Sequence, residues 1–151
     1  MTQSPADALC QFIPPFLRFL REGLVDLNMS PARFQLLQTL KQGGALTMID
    51  LAERLSVTKR NVTTLVDGLE KDGFAIRHPH PTDRRSTLVA LTAEGERAFA
   101  EAAEIQRVHL QGLLASLEPA TQHEMAQALT QLTDALTTRK PHRANARRVS
   151  D

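Results

Sequence analysis

Lys59, Arg60 and Asn61, with Thr63 and Thr64 just beyond them, put two cations, an amide and two hydroxyls on successive turns of one candidate helix. Side chains of these types read nucleic acid. Arg and Lys match guanine O6 and N7, Asn matches adenine, and Thr meets a thymine methyl or a phosphate. A second cationic group, Asp83-Arg84-Arg85, follows further along the chain in a polar stretch. Arg84 suits a phosphate contact there. No nucleophile–base–orienter set and no Gly-rich phosphate loop occurs in the sequence. The chemistry on offer is binding rather than catalysis, and the expectation is that the chain is not an enzyme.

Such residues need rigid elements to present them. Val62, Leu65, Val66 and Leu69 recur at helical spacing, which leaves Lys59, Arg60, Asn61, Thr63 and Thr64 on the opposite face. Leu51, Ala52 and Leu55 mark a shorter helix just before it, and Ser56-Val57-Thr58 forms a turn whose last hydroxyl can cap the second helix. Thr58 therefore joins the candidate contact set. Helix, tight turn and polar-faced helix make a helix-turn-helix, the geometry that seats one helix in a DNA major groove. Gly73 should end that helix, where a left-handed residue is cheapest for glycine. Phe74 to His78 and Thr87 to Leu91 then read as two strands around a cationic loop. A basic hairpin after a recognition helix is a wing, so the lobe is expected to bind double-stranded DNA.

The flanking segments read as helices. Ser4 to Phe12 suggests a short one that Pro14-Pro15 should kink or restart. Phe16, Leu17, Phe19, Leu20, Leu24 and Leu27 continue an apolar face. Ser30-Pro31 caps and starts a helix that runs to about Gln42, before Gly43-Gly44 stops it. Thr47 is placed to cap the first helix of the helix-turn-helix, and Thr92 to cap a long helix that reaches about Ser116, with Glu94 and Glu96 in its first turns. Glu118-Pro119 opens the last helix. The expected fold is mainly α with a small β wing: a winged helix-turn-helix domain plus a helical dimerisation region. Residues 45–92 form the DNA-binding lobe, 5–42 and 93–138 the dimerisation region of a single 1–138 protomer, and 139–151 a basic, disordered tail.

Charge is distributed unevenly although the net is only +1. Residues 54–85 hold seven cations against four acids, a net of +3, whereas residues 92–138 hold two against seven, a net of −5. A basic lobe is what phosphate contact requires. No apolar run is long enough for a membrane helix, no secretory leader opens the chain, and the single Cys excludes an internal disulfide, so a cytoplasmic setting with no membrane partner is expected. The five histidines (His78, His80, His109, His123 and His142) are not clustered, so neither a metal site nor a cofactor is expected.

The segment Asp83-Arg84-Arg85-Ser86, followed by Leu88-Val89-Ala90-Leu91-Thr92-Ala93-Glu94-Gly95, resembles the D-x-R…L-T-x-x-G signature of the MarR family of transcriptional regulators. Val62 to Gly73 resembles that family's recognition helix, and Asn28 to Phe34 the start of its second helix. The likeness spans roughly residues 9 to 138. It implies a homodimer joined through the first, fifth and sixth helices on a pseudo-palindromic operator. It also implies that Arg85 reaches a minor groove at the wing tip, with Asp83 orienting the wing by pairing with an Arg. Many members bind aromatic or phenolic effectors between the dimer core and the DNA lobe. Phe16, Phe19 and Phe34, with Arg18 and Arg21 to pair an acidic group, are the candidates for that crevice, although aromatics at helical spacing also serve as plain core. Some members sense hydroperoxides through a first-helix cysteine. Cys10 stands in that helix, but the chain has no Tyr, and no Lys, Arg or His within seven residues to activate the thiol. A redox sensor of the same fold and a winged-helix protein-interaction module are the alternative readings.

Overall fold

A computed structural model describes residues 3–139. The basic tail expected after Thr138 lies outside the described residues beyond Arg139. Six helices and a small sheet follow in order: α1 (Pro5–Glu22), a 3-10 turn (Val25–Leu27), α2 (Pro31–Gly43), β1 (Leu46–Thr47), α3 (Met48–Leu55), α4 (Lys59–Lys71), β2 (Ala75–Pro79), β3 (Thr87–Leu91), α5 (Ala93–Leu114) and α6 (Pro119–Thr138). They form two compact units that part between Leu110 and Gln111, inside α5.

Hydroxyl caps set the helix starts. Ser30, Thr47 and Thr58 each accept a backbone N–H from the residue three places on: Arg33, Asp50 and Asn61. The turn between α3 and α4 is closed by Ser56 in the left-handed region, at φ 53°. Gly73 takes φ 77° just past α4, a conformation in which a side chain would be strained.

The core of the first unit is almost wholly aliphatic. Leu36, Leu37 and Leu40 of α2 meet Leu51 and Leu55 of α3, Val62, Val66 and Leu69 of α4, Val89 of β3 and Ala102 of α5. α4 is therefore clamped along one face, and its other face is left free. The sheet has the order β1-β3-β2 and is antiparallel throughout, with Leu46 opposite Val89 and Ala75 opposite Leu91.

Three features depart from the sequence reading. Pro14 and Pro15 do not restart the first helix, because α1 runs unbroken from Pro5 to Glu22. The two prolines remove hydrogen bonds to the carbonyls of Cys10 and Gln11, but both residues are exposed and water can take the donors' place. The wing strand begins at Ala75 instead of Phe74, whose carbonyl is occupied by Thr92. The third strand, β1, is only two residues long, too short to show any alternation.

Candidate nucleic-acid interface

Thr58, Lys59, Arg60, Asn61, Thr63 and Thr64 are all exposed, because Val62, Val66 and Leu69 anchor the opposite side of α4 at zero exposure. The three threonine hydroxyls each have a definite hydrogen-bonding state. The Thr58 oxygen accepts from the Asn61 N–H, so its hydroxyl hydrogen is left to donate. Thr63 and Thr64 donate instead to the carbonyls of Lys59 and Arg60, four residues back, at 2.9 and 3.2 Å. That bond uses their hydrogens and leaves a methyl group and an acceptor to present. Thymine-methyl contact therefore suits these two threonines better than phosphate contact.

Beyond β2 the wing loop carries Asp83, Arg84 and Arg85, all exposed. Asp83 was expected to orient the wing by pairing with an Arg side chain. Instead its carboxylate accepts the backbone N–H of Arg85 at 3.0 Å and the hydroxyl of Ser86 at 2.9 Å. These bonds favour the charged form and hold the Asp83 carboxyl below the usual aspartate range. The acid shapes the turn from within, and both arginine side chains stay free of it.

Three further acids, Asp67, Glu70 and Asp72, are engaged by arginine side chains. Arg77 of β2 reaches back to α4, where it pairs with Asp67 at 2.6 Å and with Glu70. Burial works against its charge, but the hydrogen bonds to Asp67 and Glu70 outweigh burial and raise the pKa. Asp72 pairs with Arg33 of α2, which also donates to the Asn28 carbonyl at 3.4 Å and lies 6.0 Å from the Phe74 ring centre. All four acids of residues 54–85 thus have a partner within the fold. Among the described residues Lys59, Arg60, Arg84 and Arg85 form no ion pair. The roles of Arg77 and Arg33 were missed in the sequence. Asp67 and Glu70 share a helix face at i, i+3, but the cation between them is supplied by a strand whose placement only the fold reveals.

The wing is bolted to the recognition helix at its root. Thr92 donates its N–H to the Phe74 carbonyl and its hydroxyl to the Gly73 carbonyl, and the same hydroxyl accepts from Gly95 N–H at 3.0 Å. A Cβ on Gly95 would stand 1.9 Å from the Phe74 carbonyl oxygen, so only glycine permits this approach.

The candidate effector residues do not form one aromatic stack. Phe16 stacks on Phe12 with ring centres 4.7 Å apart, Phe19 on His109 at 3.8 Å, and Phe34 packs on Phe99 at 5.3 Å. Arg18 and Arg21 are exposed. Cys10 is a free, exposed thiol. Among the described residues no group of His, Cys, Asp and Glu is arranged to hold a metal ion, and no helix is long and apolar enough to cross a membrane.

Comparison with known proteins agrees with this geometry. The MarR family profile matches residues 29–87, the span from the approach to α2 to the first residue of β3. The HTH-type transcriptional regulator YfiV of Bacillus subtilis is 33% identical over 112 residues, which cover 74% of this chain and 70% of that protein. The HTH-type transcriptional repressor MdtR of the same organism is 32% identical over 126 residues, covering 83% and 77%. The crystal structure of Escherichia coli MarR without ligand superimposes with a TM-score of 0.78 at 23% identity, covering 87% of this chain and 98% of that one. Winged-helix geometry, matched profile and similar regulators converge: the chain belongs to the MarR family and is a DNA-binding transcriptional regulator.

Proposed function

We propose that this regulator is a ligand-responsive repressor that binds a pseudo-palindromic operator as a homodimer. The supporting observation is the sorting of charge over residues 54–85: Asp67, Glu70, Asp72 and Asp83 are each engaged within the fold, and Lys59, Arg60, Arg84 and Arg85 project unpaired. In this reading Thr58, Lys59, Arg60, Asn61, Thr63 and Thr64 enter the major groove. Arg85 enters the adjacent minor groove, and Arg84 takes a phosphate. Residues 45–92 contact DNA while 5–42 and 93–138 join the protomers. A dimer so bound blocks polymerase, and an effector releases it by favouring a lobe spacing other than the ~34–36 Å that successive helical turns demand. The name of MdtR, a transcriptional repressor, favours repression as the output.

Arg60→Ala and Arg85→Ala test the contact assignment. Each is expected to weaken binding to a duplex selected by the wild-type protein by about 1–3 kcal/mol, with the melting temperature nearly unchanged because both side chains are exposed. If both variants bind that duplex like wild type, the assignment is wrong.

The effector is proposed to be a small aromatic or phenolic molecule. Partly exposed rings at Phe16, Phe19 and Phe34, with free guanidinium groups at Arg18 and Arg21, supply surface suited to one. Salicylate serves as the probe, and Cys10→Ser is expected to release DNA in its presence just as wild type does. A Cys10→Ser protein that stays on DNA when hydroperoxide frees wild type would establish the redox alternative instead.

A further inference from the structure

His80 opens the wing loop, and its side chain has no role in the contacts assigned above. Its ring Nδ1 accepts two backbone hydrogen bonds from residues ahead of it, the N–H groups of Thr82 at 3.2 Å and Asp83 at 3.0 Å. The Thr82 hydroxyl lies 3.4 Å from the same nitrogen. The His80 backbone N–H in turn donates to the Ser86 carbonyl at 3.2 Å, and Ser86 N–H to the Asp83 carbonyl at 3.1 Å. Pro79 and Pro81 flank it, fixing φ on both sides and offering no N–H groups of their own. The loop is therefore pinned by two side-chain acceptors in relay. The imidazole fixes the backbone at Thr82 and Asp83, and the Asp83 carboxylate, placed by that step, fixes Arg85 and Ser86.

We propose that His80 is a positioning residue of the DNA interface: its neutral imidazole caps the wing turn and thereby sets the direction in which Arg84 and Arg85 project. This rests on the reading that the wing contacts DNA. A ring whose Nδ1 accepts two N–H groups carries its proton on Nε2 when neutral. His80 thus performs the task that an Asn or Asp performs in an Asx turn, accepting backbone donors two and three residues on. What matters is an acceptor at the Nδ1 position; the positive charge of an imidazolium is not required and would remove that acceptor.

Three variants of the full chain separate this role from others. Asn places its carbonyl oxygen close to where Nδ1 stands, Gln extends to the position of Nε2, and Ala supplies neither. Affinity is read against a fluorescent duplex selected by the wild-type protein from a random-sequence pool, with melting temperatures as the folding control. His80→Ala is expected to bind roughly tenfold more weakly, the equivalent of one to two hydrogen bonds. His80→Asn should regain most of that loss, and His80→Gln should not. Without DNA, nitrogen NMR should find the wild-type ring protonated at Nε2. The Arg84 and Arg85 amide resonances should move in His80→Ala and return in His80→Asn. Wild-type affinity in His80→Ala, rescue by Gln and not by Asn, or a ring protonated at Nδ1 would each overturn the proposal. A wild-type protein that selects no duplex would overturn the DNA reading instead, and the NMR measurements would still decide the turn's geometry.

Discussion

Asp83 shows how one carboxylate can serve a cationic surface without neutralising it. Its two oxygens hold the Arg85 N–H and the Ser86 hydroxyl, so its charge is absorbed by the loop's own dipoles while both neighbouring guanidinium groups stay available. Those bonds are stronger to the ionised acid, and its pKa is depressed in consequence, first by the Arg85 N–H and then by the Ser86 hydroxyl. The sign follows from linkage. A depressed carboxylate contributes its full effect above the ordinary aspartate value of 3.8 and loses it as pH falls through the lower, folded value. The carboxylate's own hold on Arg85 and Ser86 should therefore be lost only in strong acid. Followed by carbon NMR, the Asp83 carboxyl is expected to titrate with a midpoint below 3.8; a midpoint at or above that value would mean that the turn does not favour the carboxylate.

At the scale of elements, the junction of α4, β2 and α5 does most to aim the interface. Thr92 and Gly95 lock the start of α5 onto the carbonyls of Gly73 and Phe74, so the hairpin leaves the recognition helix at a fixed angle. Gly95→Ala forces a methyl against the Phe74 carbonyl oxygen and is expected to lower stability by about 1–3 kcal/mol, measured as a shift in the urea midpoint. An unchanged midpoint would mean that the junction is looser than the structure describes. The elements themselves were largely legible in the sequence because their signals are local. Ser30, Thr47, Thr58 and Thr92 announced their helices as hydroxyl caps, and Val62, Leu65, Val66 and Leu69 announced the buried face of α4 by spacing alone. Pro14 and Pro15 misled, since proline forbids a backbone bond locally but cannot say whether water replaces it. The ties of Arg77 to Asp67 and Glu70, of Arg33 to Asp72, and of the His80 ring to Thr82 and Asp83 were not legible. The first two join residues 7 to 39 apart, and the third depends on a ring orientation that no pattern encodes.

For the whole molecule, the distribution of apolar surface matters as much as that of charge. In the first unit α1 leaves Leu9, Phe12, Ile13 and Leu17 between 44% and 53% exposed, and in the second unit α6 leaves Leu129, Leu132 and Leu136 at 45% or more. Apolar surface left in water forgoes about 25 cal/mol for each Å² that a partner would cover, which favours association of two protomers through these helices. Two protomers carry two recognition helices and two wings, and each free cation that meets a phosphate displaces a counterion. The most direct check is a titration of a selected duplex with the wild-type protein over a series of salt concentrations, reading both stoichiometry and affinity. Two protomers per duplex are expected, with log affinity falling steeply and linearly as log salt rises, and with a slope reduced by about one phosphate contact for each Arg84 replaced by Ala in the dimer. Binding of a single protomer, or an affinity indifferent to salt, would contradict the assignment of this cationic, winged-helix face to DNA.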